Sequence, residues 1–471
     1  MISDLKPYAK YKASDSPWMG QVPSHWDVKP LRAMLKQRNE KNSPIKTTQI
    51  LSLSIAHGVT LYSHEGRGGN KAKSDLSAYK IAHVGDIVLN SMNVIVGAVG
   101  LSKYDGAISP VYYALYPRSE SVVINYFDKI FSNSIFQRYL LIYGKGILIK
   151  ESDSGKLNTI RMKISQQDLK STVLPLPSLE EQAAIVRFLN YANGRLERAI
   201  RAKRKVIALL NEQKQAIIHR AVTRGLDPNV KRKPSGISWL GDIPQHWELR
   251  RLKYLVQNVN DQTAEQMSDD VYIALEHVES WSGQITPPTG QVEFDSQVKR
   301  FIKGDILFGK LRPYLAKVAR PKMKGVCVGE FLVLRVMDKE LLPEFLEYKL
   351  RSKQIIDVIN ASTVGAKMPR ADWLFVGGLG IAYPPTKAEQ QKIFDFINKE
   401  ISSFCEVISR NQREITLLQE YRTRLITDVV TGKIDVREVA NKLPDETPIE
   451  AAESVEDLNE EVETADEEAT A

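Results

Sequence analysis

Cysteine is nearly absent: Cys327 and Cys405 are the only two in 471 residues. Two thiols cannot build a disulfide framework, nor a four-ligand zinc site by themselves. No window approaches the roughly 18 consecutive apolar residues of a membrane span. The N-terminus, Met-Ile-Ser-Asp-Leu-Lys-Pro-Tyr, lacks the apolar run of a secretory signal. Basic residues are missing from Leu443 onward, where twelve acids run from Asp445 to Glu468 and no aromatic residue occurs. Such a tail is expected to be disordered. These absences argue against a secreted scaffold, a membrane protein and a zinc finger, and lead to the expectation of a cytoplasmic chain.

What is present is an ordinary globular composition, 43% apolar and 26% charged, in a chain long enough for about three domains. The net charge of +8 becomes +20 for the body once the twelve tail acids are set aside. A folded body of that sign attracts polyanions, nucleic acid above all; the alternative is a solvated basic surface.

The chain repeats itself. Trp18-Met19-Gly20-Gln21-Val22-Pro23-Ser24-His25-Trp26 returns as Trp239-Leu240-Gly241-Asp242-Ile243-Pro244-Gln245-His246-Trp247. Gly85-Asp86-Ile87-Val88-Leu89 matches Gly304-Asp305-Ile306-Leu307-Phe308; Gln182 matches Gln390, and Val222-Thr223 matches Val430-Thr431. The protein is therefore a tandem duplication. Within each copy, short β-like runs such as Ile87-Val88-Leu89 and Phe331-Leu332-Val333-Leu334 alternate with Gly-rich turns, which predicts a compact α+β domain. A long helix follows each, opened by Ser178 or Thr386 with acids in the first turn. The expected organisation is a first domain at 1–177, a long helix at 178–224, a linker at 225–246, a second domain at 247–384, a second long helix at 385–432 and a C-terminal segment at 433–471.

About 45 residues of helix make a rod of roughly 65 Å. Val186, Asn193, Ile200, Ile207, Lys214 and Ala221 fall on one heptad position of the first rod. Phe394, Ile401, Ile408, Ile415, Arg422 and Val429 do so on the second. Stripes of period 3.5 predict a coiled coil between the two rods; pattern alone leaves its direction open. The polar seam residues Lys203, Asn411, Lys214 and Arg422 either set register or face another protein, or else snorkel out at a bundle edge. Duplicated modules on a rigid spacer suit a split DNA site, because a B-DNA turn is only about 34–36 Å.

The box Trp-x-Gly-x-[Ile/Val]-Pro-x-His-Trp, present twice, resembles the opening of target-recognition domains in specificity subunits of type I restriction-modification enzymes. So do Gly304-Asp305-Ile306-Leu307-Phe308-Gly309-Lys310-Leu311-Arg312-Pro313-Tyr314 and the Pro384–Gln390 stretch. The resemblance covers most of residues 11–440. It implies two α+β target-recognition domains joined by two long helices in an antiparallel coiled coil, with pseudo-two-fold symmetry. It also implies double-stranded DNA, two modification (methyltransferase) subunits and restriction (translocase/endonuclease) subunits as partners in phage defence. The target would be bipartite and asymmetric, with methylation at adenine N6. S-adenosylmethionine, ATP and Mg would bind those partners and not this chain. The first domain departs from the pattern, reading Asn90-Ser91-Met92-Asn93 where the second has the Lys-Leu-Arg-Pro stretch.

No catalytic residue is expected. An amino-methyltransferase needs an [Asn/Asp]-Pro-Pro-[Tyr/Phe] loop, yet Pro287-Pro288 and Pro384-Pro385 lie in other contexts. Neither Gly-x-Gly-x-x-Gly nor a Walker loop occurs. Glu347-Tyr348-Lys349 has the Glu-x-Lys spacing of a nuclease but no suitably placed upstream Asp. His25 and His246, held between a Pro turn and a Trp, read as structural donors, and Trp18, Trp26, Trp239 and Trp247 as core anchors. Candidate DNA contacts are Arg67, Asn70, Lys71, Lys73, Asn90, Asn93, Lys145, Lys150 and Lys156 in the first domain. Lys310, Arg312, Tyr314, Lys367 and Arg370 are those in the second. Small residues beside them let backbone approach phosphate, Lys neutralises it, and Arg or Asn reads purine edges. For any single one the alternative is a solvated loop. For the chain, the alternative function is a stand-alone DNA-binding regulator on the same scaffold.

Overall fold

The computed structural model describes residues 5–55, 57–63, 75–147, 150–151, 157–158, 161–264, 270–288, 297–363 and 368–444. The acidic tail from Asp445 onward lies outside them. Contacts divide the chain into two units, Met1–Arg201 with Glu414–Ala471, and Ala202–Arg413. Each unit thus joins one domain to about half of each long helix. The long helices are α1, Leu179–Arg224, and α2, Lys387–Val430, of 46 and 44 residues. Among the described residues, no helix is long and apolar enough to cross a membrane.

The two domains share one sheet topology. In the first unit, β1 (Leu35–Arg38), β2 (Ile87–Asn90), β3 (Val99–Leu101) and β4 (Tyr112–Pro117) form an antiparallel sheet of order β1-β4-β2-β3. In the second unit, β5 (Val256–Val259), β6 (Ile306–Gly309), β7 (Val318–Ala319) and β8 (Phe331–Val336) form one of order β5-β8-β6-β7. Register repeats as well: Leu89 faces Tyr113, and Phe308 faces Leu332.

Both central strands are continuous apolar runs because both sheet faces are covered. Ile87 and Leu89 enter the large core of the first unit, while Val88, between them, joins Leu51, Val59 and Ile108 on the other face. Ile306 and Phe308 likewise enter the large core of the second unit, and Leu307 joins Phe301, Cys327 and Val333 opposite. Before each rod a last strand pairs with the one after the Trp box: Val173–Leu176 with Asp27–Pro30, and Gly380–Tyr383 with Glu248–Arg251.

The repeated box is the seat for the helix start. Trp26 and Trp247 are fully buried, and Trp18 is buried as well, whereas Trp239 is only half-buried. Trp26 Nε1 donates to Glu181 Oε1 at 3.3 Å, and His25 Nε2 lies 3.0 Å from the same carboxylate. Trp247 Nε1 donates to Glu389 Oε1 at 3.0 Å, with His246 Nε2 2.9 Å from Oε2. Both histidines are thus locked onto a first-turn carboxylate, where the helix dipole also favours negative charge. Burial works against the Glu181 charge, but the His25 and Trp26 contacts hold its carboxyl below the ordinary value. Gln182 and Gln390, one residue on, accept from Val123 N and Leu342 N at 2.8 and 2.7 Å and tie each helix to its own domain.

The rods run antiparallel within each unit. In the first, Ile185 and Leu189 share a core with Leu425, Val429 and Val430, and Arg422 Nη1 reaches Glu197 Oε2 at 2.9 Å. In the second, Ile218 and Val222 share a core with Ile393 and Ile397, while Lys214 Nζ lies 3.7 Å from Cys405 Sγ. Two of the polar seam residues therefore contact the opposing rod.

Helix ends are capped by the domain of the same unit. The Val430 carbonyl accepts from Tyr126 Oη at 3.3 Å, and the Val222 carbonyl from Lys349 Nζ at 2.7 Å. Lys349 of the Glu-x-Lys triplet is fully buried there, and Glu347 pairs with Arg320 and Arg351 at 3.2 and 2.9 Å. Burial pulls the Lys349 ammonium down to about 7, even though a helix-end carbonyl favours its charge. Between pH 7 and the unfolded lysine value the unfolded chain holds a proton that the folded one lacks, so stability rises with pH in that window. One proton gives a slope of about 1.4 kcal/mol per pH unit. From pH 7.5 to 9.5 the wild type should therefore gain about 2–3 kcal/mol that Lys349→Met does not. Urea titrations at the two pH values check this; equal gains in both proteins would refute it.

Candidate nucleic-acid interface

The Gly-Asp-Ile motif builds a rigid entry to the central strand. Gly85 and Gly304 sit at φ +87° and +94°, a conformation glycine tolerates best. The next residues, Asp86 and Asp305, are almost wholly buried. Each closes the turn by accepting, at 2.9 Å, from a backbone N–H, that of His83 or Ile302. Each is also gripped by an arginine through two bonds: Arg38 to Asp86 at 2.6 and 2.9 Å, Arg335 to Asp305 at 2.8 and 2.7 Å. The two arginines come from different strands, β1 and β8, so the same anchoring is reached by non-equivalent residues.

The far ends of β2 and β6 carry the candidate contacts. A short 3-10 turn follows each strand, Val94–Val96 and Pro313–Leu315, preceded by Asn93 and Arg312 respectively. Asn93 and Arg312 are thus structural counterparts. Asn90 Oδ1 accepts from Met92 N at 3.0 Å, which commits its oxygen to the local turn. The Asn93 side chain makes no capping bond and is half-buried. Arg312 stands at φ +50° and ψ +63°, left-handed and directly before a proline. A side-chain-bearing residue held there costs about 1–2 kcal/mol, and such strain concentrates at functional positions.

A second segment packs beside each turn. In the first domain the strand pair Gly144–Ile147 and Arg161–Ile164 sets Lys145 opposite Lys163, both exposed, and Ile164 N donates to Ser91 O at 2.9 Å. In the second, Ala371 N donates to Lys310 O and Arg312 N to Pro369 O, at 2.9 and 2.8 Å. Arg370 lies between those bonds and pairs with Glu330, whose carbonyl accepts from Lys310 N at 2.8 Å. Tyr314, on the 3-10 turn, is half-exposed.

The structure therefore gathers Asn90, Asn93 and Lys145 around one turn, and Lys310, Arg312, Tyr314 and Arg370 around the other. Lys150 falls in the two-residue strand Lys150–Glu151, paired with Leu157–Asn158. Arg67, Asn70, Lys71, Lys73, Lys156 and Lys367 lie outside the described residues. Sequence reasoning missed Lys163 and Glu330. Lys163 precedes Arg370 by nearly the spacing of the Gln182–Gln390 repeat, a usable signal; nothing in the sequence marks Glu330. Among the described residues, no three His, Cys, Asp or Glu side chains are grouped to hold a metal ion.

The chain is similar over most of its length to the protein assigned as the type I restriction enzyme MjaX specificity subunit of Methanocaldococcus jannaschii. The two are 22% identical over 454 residues, 89% of this chain and 96% of that one. It is also 22% identical over 252 residues to the EcoDI specificity subunit of Escherichia coli, covering 50% of this chain and 54% of that protein. In fold it resembles a chain from a study of complex assembly and conformational transition of the type I restriction-modification system. That likeness has a TM-score of 0.57 at 13% identity and covers 87% of this chain and 98% of that one. No protein-family model matches the sequence.

Proposed function

We propose that this chain is the DNA-specificity subunit of a type I restriction-modification system. It recognises a bipartite, asymmetric DNA target and brings the modification and restriction subunits to it. The observation that carries this reading is the near end-to-end similarity to a specificity subunit in a chain whose two halves repeat one domain, one helix seat and one interface. Each domain holds a short turn with a polar side chain, Asn93 or Arg312, just beyond a buried strand, so a recognising side chain is placed by the sheet rather than by a mobile loop. The turns differ, Asn93 in one and Arg312 in the other, and the two half-sites accordingly differ. The repeated frame offers two copies of one docking surface, which suits two identical modification subunits.

In this reading the chain contributes no catalytic group. Adenine N6 methylation with S-adenosylmethionine, and translocation and cleavage with ATP and Mg, belong to the partners. The DNA contacts are Asn90, Asn93, Lys145 and Lys150 in the first domain and Lys310, Arg312, Tyr314 and Arg370 in the second. Arg67, Asn70, Lys71, Lys73, Lys156 and Lys367 complete the set from outside the described residues.

Footprinting of the complex on its target tests this: two protected tracts with an unprotected spacer are expected, and one continuous tract or none would refute it. Lys145→Ala should weaken binding equally across half-site variants. It should also flatten the plot of log affinity against log salt by about 0.9. A changed base preference, or an unchanged slope, would remove Lys145 from the phosphate contacts.

A further inference from the structure

We infer that Arg370 reads a guanine in one half-site and that Glu330 is the positioning residue that aims it, an inference that rests on the DNA-specificity reading above. Arg370 Nε donates to Glu330 Oε2 at 3.3 Å and Nη2 to Oε1 at 3.2 Å. The carboxylate therefore occupies one edge of the guanidinium. Of the five N–H donors, three remain, and with the Nε/Nη2 edge taken the outer Nη1/Nη2 edge is left to pair with guanine O6 and N7. The pair is open to solvent, with the two side chains 53% and 33% exposed. As a stabilising contact, an exposed pair of this kind is worth only about 0–1 kcal/mol, so stability alone does not account for an acid placed against Arg370 beside Lys310 and Arg312. A carboxylate there also repels phosphate, which disfavours a backbone contact at Arg370 and leaves the base edge as its partner.

Both residues are fixed from the main chain. Arg370 forms an isolated antiparallel bridge with Leu311. Glu330 takes the Lys310 N–H on its carbonyl and stands one residue before β8. The first domain supplies the contrast. The Ile164–Ser91 bond corresponds to the Ala371–Lys310 bond, which puts Lys163 in the place of Arg370. The residue before β4 is Val111, 41% exposed, where the second domain has Glu330. Lys163 has no carboxylate at that position and is a point charge without a planar fork, so it contacts phosphate.

The test is the methylation motif written by the complex of the full chain with its modification subunit, compared for wild type, Arg370→Lys, Glu330→Gln and Lys163→Ala. The wild type should specify a G·C pair in one half-site. Arg370→Lys should relax that pair, and Glu330→Gln should relax the same pair at least tenfold. The other half-site and the melting temperature should stay unchanged in both variants, while Lys163→Ala should lower methylation without altering the motif. If Arg370→Lys left the motif intact, Arg370 would be a phosphate contact and the inference would fail. If only Arg370→Lys relaxed it, Glu330 would have no positioning role. A wild-type complex with no split motif would overturn the DNA-specificity reading itself, whatever the variants did.

Discussion

Arg312→Gly should weaken binding to the specific target by about 1–3 kcal/mol, roughly 5- to 150-fold, while the protein stays within about 1 kcal/mol of wild-type stability. A substitution that removes a buried or hydrogen-bonded side chain from a site costs stability as well as function. This position differs because its backbone is left-handed, at φ +50°, and glycine relieves that strain. The entropy that glycine adds to the unfolded chain offsets most of the relief. The Arg312 N–H bond to the Pro369 carbonyl needs no side chain and survives the change. What disappears is a guanidinium held at the end of β6, so the loss should be confined to the half-site read by the second domain. Paired melting curves and competition binding decide the matter. A melting temperature lowered by many degrees, or an affinity for the target that did not move, would show that Arg312 is a structural residue.

Gly432→Ala should destabilise the first unit by about 3 kcal/mol or more, whereas Gly225→Ala should cost only about 1 kcal/mol. Both glycines close a long helix in the left-handed region, at φ +75° and +73°, so the backbone penalty is shared. The surroundings are not. A methyl group at 432 would run into the Pro23 ring and the fully buried Trp26. At 225 it would meet Trp247 at 3.5 Å, an ordinary contact. Because Pro23 and Trp26 belong to the repeated box, the clash would lift the end of α2 off its seat in the first domain. Hydrogen exchange should then report faster opening around the Trp26 seat in Gly432→Ala. Equal destabilisation by the two substitutions would contradict this packing.

Much of this architecture is legible in the amino-acid sequence. The duplicated Trp box, the paired Glu181 and Glu389, and the heptads of both rods mark the seats and the helices. They can do so because local hydrogen-bonding and burial needs leave a sequence record. Other features leave none. Whether half of each rod belongs to one domain or the other depends on which carbonyl Tyr126 or Lys349 caps, a contact made far along the chain. In the sequence Lys349 stands out only for its Glu-x-Lys spacing, and tertiary packing alone buries it. At the interface, Asn90 and Asn93 are equally eligible by type. The turn separates them, taking the Asn90 oxygen for Met92 N. Glu330 is invisible in the sequence because an acid among basic candidates has no evident purpose until Arg370 is found against it.

The most direct test of the central claim is long-read modification sequencing of a host that lacks adenine methylation and expresses this chain with the modification subunit from its own locus. A split, asymmetric motif with methyladenine in each half is expected. Exchanging only residues of the second interface, Arg312 and Arg370 among them, should alter one half of the motif and leave the other intact. A soluble, co-purifying complex that wrote no methylation, or a single unbroken motif, would contradict a bipartite DNA-specificity role.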